Sequence, residues 1–157
     1  MNEKELLQEL DALLCGHWMT DLANFAAFFY EKTQKINWIG FYLSDHKKLR
    51  LGPFNGKPAC LEISFSRGVC GHSFEIQKSV VINDVNQFPD HISCDPASKA
   101  EMVIPLIIHN KIVGVLDIDS PVIGRFNSDD LIFFQKAVQI LSKKIEMSNE
   151  TQFGSLF

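Results

Sequence analysis

A chain of 157 residues with a formal net charge of −4 lacks the clustered cationic face that a nucleic-acid binder needs. Its 46% hydrophobic and 22% charged residues are those of an ordinary globular protein, large enough to bury a core without staples. Apolar runs such as 102–108 fall well short of the roughly 20 residues that span a bilayer, and the acidic, amphipathic start resembles no secretory or transit signal, so the expected setting is cytoplasmic, away from membranes.

Helical periodicity runs over 3–14 and 18–34. In the second stretch Leu22, Phe25, Ala26, Phe29 and Tyr30 share a face, and Thr20 or Asp21 is placed to cap its start. A strand over 36–44 turns at 45–48 and returns through 49–51. The Gly and Pro punctuators of 52–58 mark a loop. A strand is expected over 59–65, then a glycine turn at Gly68 and Gly71 opening a short helix to Gln77, then a short strand over 80–82. Residues 83–100 form a polar loop of a length that is uncommon in a compact domain and often functional. Strands over 101–109 and 111–120 meet at a tight turn at Asn110. Asn127 caps a closing helix running to about Met147, with Leu131, Phe134, Val138, Leu141 and Ile145 as its buried stripe. The last ten residues are expected to fray. The order predicts one α+β domain over 1–157, with its core at about 5–147. It is a mostly antiparallel six-stranded sheet with helices packed on one side.

In a reducing compartment four cysteines are thiols, ligands or redox groups before they are structural disulfides. No Cys-x-x-Cys occurs, and the spacings of Cys60, Cys70 and Cys94 match no common zinc pattern, so no metal and no other cofactor is expected. Cys94 stands in the long loop with His91 three residues upstream, either as a reactive thiol or as a fortuitous loop cysteine. Cys60 follows Lys57 at a strand start. Cys70 lies at an expected helix N-terminus, where the dipole favours a thiolate. Cys15 follows two leucines on the first helix and reads as core. The residues alone do not say which thiol attacks.

Asp117 and Asp119 alternate with Leu116 and Ile118, so a strand puts both acids on one face, about 7 Å apart. Like charges that close on a half-buried strand persist when a cation binds or one carboxyl keeps a proton, and otherwise line a wet edge. Pairing across Asn110 brings Glu101 opposite roughly Asp119. Trp38 is either core or the wall of a pocket.

These segments occur together and in order: Ile36-Asn37-Trp38-Ile39-Gly40-Phe41-Tyr42, Gly52-Pro53-Phe54-Asn55-Gly56-Lys57-Pro58-Ala59-Cys60, Arg67-Gly68-Val69-Cys70-Gly71, His91-Ile92-Ser93-Cys94-Asp95 and Gly114-Val115-Leu116-Asp117-Ile118-Asp119-Ser120. As a set they resemble the free methionine-(R)-sulfoxide reductases, enzymes built on a stand-alone GAF domain. Glu62, Ser64, Ser66 and Ser93 depart from that family's pattern. The resemblance implies Cys94 as the attacking thiol, Cys60 as the resolving one and Cys70 as a possible alternative. It implies Glu101, Asp117 and Asp119 as substrate carboxylates and Trp38 as the wall against the S-methyl group. Free methionine-(R)-sulfoxide as substrate, a thioredoxin-type reductant and a homodimer follow from the same resemblance. A non-catalytic GAF sensor module binding a small molecule is the alternative.

Overall fold

The computed structural model describes residues 2–148; the expectation of a frayed tail falls almost wholly outside that range. Helices α1 (Glu3–Leu13) and α2 (Trp18–Lys32) precede strands β1 (Trp38–Ser44), β2 (Lys48–Gly56) and β3 (Glu62–Ser64). Then come α3 (Gly68–Ile76), β4 (Val80–Ile82), a single 3-10 turn (Val85–Gln87), β5 (Ala100–Ile108), β6 (Lys111–Ser120) and α4 (Ser128–Met147). The six strands form one sheet in the order β3-β2-β1-β6-β5-β4, every neighbouring pair antiparallel.

The sheet divides the apolar side chains between two faces, as a period of two dictates. Ile39, Phe41 and Leu43 of β1 and Leu116 and Ile118 of β6 point into the larger core, where α1, α2 and α4 cover them. Trp38 and Tyr42 of β1, with Val103 and Val115, point the other way into a smaller cluster beneath α3. The expected packing of helices on one side thus describes three of the four, while α3 covers the opposite face.

Two bulges adjust this pattern. Between Leu106 and Ile107 the β5–β6 register slips by one residue at Val113, so Val113 joins the larger core although Val115 faces away from it. In the β1–β2 pair the partners jump from Gly40↔Phe54 to Tyr42↔Leu51, placing Gly52 and Pro53 in the irregular stretch. A strand tolerates Pro there because the missing N–H interrupts no ladder. This is why β2 runs through residues whose composition announces a loop. The expected strand over 59–65 shrinks to Glu62–Ser64, which leaves Cys60 in an irregular segment.

The β5–β6 hairpin turns on His109 and Asn110, both at positive φ (49° and 61°), the backbone twist that a two-residue hairpin requires. Asn127 caps α4 as expected, its side chain accepting from the backbone N–H groups of Asp129 and Asp130 while Asp130 Oδ2 accepts from the Asn127 N–H. In that helix Phe133 and Ala137 are buried alongside the expected stripe, while Leu131 is only partly covered.

The start of α2 differs from expectation. Neither Thr20 nor Asp21 caps it; the cap position is His17, whose side chain does not cap the helix N–H groups. Asp21 is instead fully buried one turn in and accepts from Cys15 N at 2.9 Å and Gly16 N at 2.7 Å, holding the α1–α2 connection in place. Cys15 lies beyond the end of α1 and is exposed rather than core, and Tyr30 is 40% exposed. Replacing Asp21 with Ala leaves the buried Gly16 N–H and the half-buried Cys15 N–H without their acceptor and is expected to cost about 2–3 kcal/mol. Denaturant unfolding of the variant measures this; a loss below about 0.5 kcal/mol would mean that water replaces the carboxylate.

Candidate active site

The sheet face beneath α3 carries a row of side chains set by register alone. Trp38 pairs with Asp119, and Asp119 pairs with Glu101, so β1, β6 and β5 each contribute one residue to the row. This places Glu101 against Asp119, as hairpin pairing across Asn110 predicts. In the next row Gly40 pairs with Asp117, and the missing side chain leaves room for the Trp38 ring: a Cβ there would lie 2.6 Å from Trp38 Cη2. The indole stacks on Phe54 (centroids 5.3 Å) and Tyr42 (5.9 Å), and its Nε1 donates to Lys57 O at 3.1 Å. Tyr42 Oη donates to Cys60 O at 2.9 Å. Two β1 aromatics therefore pin the 57–60 segment over the row.

The second wall is the 83–99 loop. Cys94 lies beside Cys60 and the two are disulfide-bonded, with Cα atoms 5.4 Å apart, inside the span such bonds favour. The loop is anchored by Asn37, whose Nδ2 donates to Asp95 Oδ2 (3.2 Å) and Ser98 Oγ (3.1 Å). It also turns His91 inward, where Nε2 sits 3.3 Å from Glu101 Oε2. The third wall is α3: Cys70 Sγ donates to Glu101 Oε1 at 3.8 Å. Together these walls line a small pocket of about 30 Å³.

Electrostatics follow from burial. Glu101 and Asp117 are each 6% exposed, and Asp119 is partly so. Desolvation, then the neighbouring Asp119, pushes the Glu101 carboxyl up to about 8. Asp117 is held well above the carboxylate range by burial first and by Glu101 second, and Asp119 by burial, Asp117 and Asp95. At neutral pH Glu101 therefore keeps its proton, and Asp117 and Asp119 are biased the same way. Burial and the same acids push the Cys70 thiol up, which reverses the helix-dipole expectation at that position. Burial also pulls His91 below its ordinary value, so His91 and Glu101 meet at pH 7 as two neutral groups rather than an ion pair. Asp117 Oδ1 is buried without a hydrogen-bond partner among the described residues, an acceptor aimed at nothing the chain supplies. Cys70, Glu101 and Asp117 bring potential ligand atoms within 4.8 Å of one another. Sequence spacing does not show that grouping, because the three come from three separate elements.

The whole architecture has known counterparts. A model of the GAF domain matches residues 5–145. The free methionine-R-sulfoxide reductase of Escherichia coli K12 is 42% identical over 151 residues, covering 95% of this chain and 92% of that one. The chain belongs to the GAF-domain family of free methionine-R-sulfoxide reductases. The Saccharomyces cerevisiae member is 35% identical over 157 residues, covering 91% of this chain and 87% of its own. Among solved structures, the reduced form of the Staphylococcus aureus fRMsr superposes with a TM-score of 0.89 at 39% identity, covering 92% of this chain and 95% of that one. The Neisseria meningitidis free methionine-R-sulfoxide reductase, solved in complex with its substrate, gives 0.88 at 37% identity over 92% and 88%.

For this member of the free methionine-R-sulfoxide reductases, the seven candidate site residues come together: Trp38, Cys70, Cys94, Glu101, Asp117 and Asp119 line one pocket, and Cys60 is bonded to Cys94. Sequence reasoning missed Tyr42 and Ser98, and assigned Asn37 and Asp95 no task. Tyr42 was recoverable, since it lies four residues from Trp38 on the same strand and hence on the same face. The anchoring of the loop by Asn37 was not, because its partners are 58 and 61 residues away. No helix among the described residues is long and apolar enough to cross a membrane.

Proposed function

We propose that the protein reduces free methionine-(R)-sulfoxide to methionine, with Cys94 as nucleophile, Cys60 as resolving thiol and a thioredoxin-type dithiol as reductant. The observation that carries this reading is the Cys60–Cys94 bond beside a pocket whose floor is three buried acids, each held above the usual carboxylate range. A sulfoxide sulfur accepts a nucleophile only when its oxygen is protonated or strongly hydrogen-bonded. Glu101, neutral up to about pH 8, is the donor suited to that oxygen. Asp117 Oδ1 and Asp119 are then left to receive the α-ammonium, a charge that peptide-bound methionine lacks. Trp38, 2% exposed and braced by two rings, fits the S-methyl group as a flat apolar wall.

The steps balance. The Cys94 thiolate attacks sulfur, the oxygen passes to Cys94 as a sulfenic acid, and methionine leaves. Cys60 then displaces that oxygen as water and forms the disulfide, which an external dithiol reduces. A cytoplasmic setting accompanies this cycle, since such dithiols are kept reduced there. A homodimer paired through α1 and α4 completes the reading; α1 leaves Leu13 40% exposed and α4 leaves Ile132 48% exposed. A sensor module for a phosphorylated ligand fits less well, because the pocket's titratable floor is three acids, none of which supplies positive charge to a phosphate.

Reduced protein mixed with free methionine-(R)-sulfoxide, without reductant, is expected to yield about one methionine per two thiols lost. Intact thiols and no methionine defeat the reading.

A further inference from the structure

The proposed cycle assigns work to the acids and the thiols but leaves His91 unused, although its ring lies in the pocket on the acid that matters most. We infer that His91 is a positioning residue for Glu101, which ties the alignment of that acid to the placement of the Cys94 loop. The inference rests on the reductase reading above.

Three observations carry it. Nε2 of His91 is 3.3 Å from Glu101 Oε2, while Cys70 Sγ occupies the other oxygen, Oε1, at 3.8 Å. The carboxyl is thus flanked on its two oxygens, by α3 and by the loop. Second, His91 belongs to the same loop as Cys94, three residues apart, and the intervening backbone is folded tightly, with His91 N donating to Phe88 O and Cys94 N to Ile92 O. The group that grips the acid is therefore carried by the segment that carries the nucleophile. Third, the groups that meet Glu101 are Cys70 from α3, Asp117 and Asp119 from β6, and His91 from the loop. Only His91 is a nitrogen base. Neutral near pH 7, its ring has one N–H; in the inferred role that N–H sits on Nε2, facing Oε2 at 3.3 Å, and leaves the acid proton to Oε1. A misplaced proton leaves the sulfoxide oxygen without its donor, although the substrate still binds.

The test compares turnover with a dithiol reductant across about pH 6 to 9 for wild type, His91→Ala and His91→Gln. Gln keeps an N–H near the Nε2 position; Ala removes it. His91→Ala is expected to lower kcat about tenfold or more with KM changed less than about threefold. Its alkaline limb moves to higher pH, because the ionised carboxylate has lost a donor. His91→Gln is expected to recover most of the rate. Thermal unfolding and oxidant-driven closure of the Cys60–Cys94 bond confirm that each variant is folded. An active His91→Ala, a His91→Gln as slow as His91→Ala, or a lowered rate with an unmoved alkaline limb each overturns the role. A wild type that makes no methionine defeats the reductase reading itself, which keeps the two failures apart.

Discussion

Cys94→Ser is expected to lower methionine formation by about ten-thousand-fold or more, even in a single turnover, because no other thiol takes over the attack. The reason is positional. Cys70 is buried beneath α3, its Sγ turned to Glu101 and its thiol pushed up, so it is a poor nucleophile at neutral pH. Cys15 lies at the α1–α2 connection, where Asp21 Oδ1 accepts from its Sγ at 3.3 Å. Cys60→Ser is expected to behave differently. Its first turnover proceeds at close to the normal rate, the sulfenic acid on Cys94 persists long enough to be trapped by a dimedone-type reagent, and steady turnover with thioredoxin collapses. Cys70→Ser separates the two candidate resolving thiols: it leaves the disulfide intact if Cys60 resolves. Rapid disulfide formation in Cys60→Ser would transfer that role to Cys70.

Glu101→Gln is expected to slow the chemical step by about a hundred- to a thousandfold, the usual cost of losing one donor at a site of developing charge. The same change should make the protein more stable, and increasingly so as pH rises. The Glu101 carboxyl is raised from 4.5 to about 8 by folding. A raised acid contributes stability that is fully present below its unfolded value and is lost as pH climbs through the folded value. The wild type therefore gives up stability between about pH 4.5 and 8 that the Gln variant keeps, on the order of a few kcal/mol at the alkaline end. Thermal melts at pH 5 and pH 8.5 read this directly: similar midpoints at the first, a higher midpoint for Glu101→Gln at the second. A variant keeping more than a tenth of the wild-type rate removes Glu101 from the role of donor.

Much of this site was legible because it is written in strand periodicity. The alternation around Asp117 and Asp119, with a tight turn at Asn110, is enough to put three acids on one face and Glu101 against Asp119. The helix ends were legible where chemistry is local, as at Asn127, and illegible where it is not. Asp21 looks like a cap from its spacing, yet it binds backward to Cys15 and Gly16, a choice made by the path of the α1–α2 connection. β2 was hidden by Gly52 and Pro53, which signal a loop in isolation but are tolerated in a bulge. The chemical state of Cys70 was inverted, because a helix N-terminus pulls one way and burial among acids pulls harder the other way. Burial is a property of the assembled walls and is invisible in a run of residues.

The bond at the edge of the pocket has a consequence for measuring this protein. In the disulfide form Cys94, the proposed nucleophile, has no free thiol, so oxidised copies take no part in a first turnover. In a mixed population, the methionine released without reductant counts only the reduced copies. Such a titration reports a sample's redox state rather than its concentration.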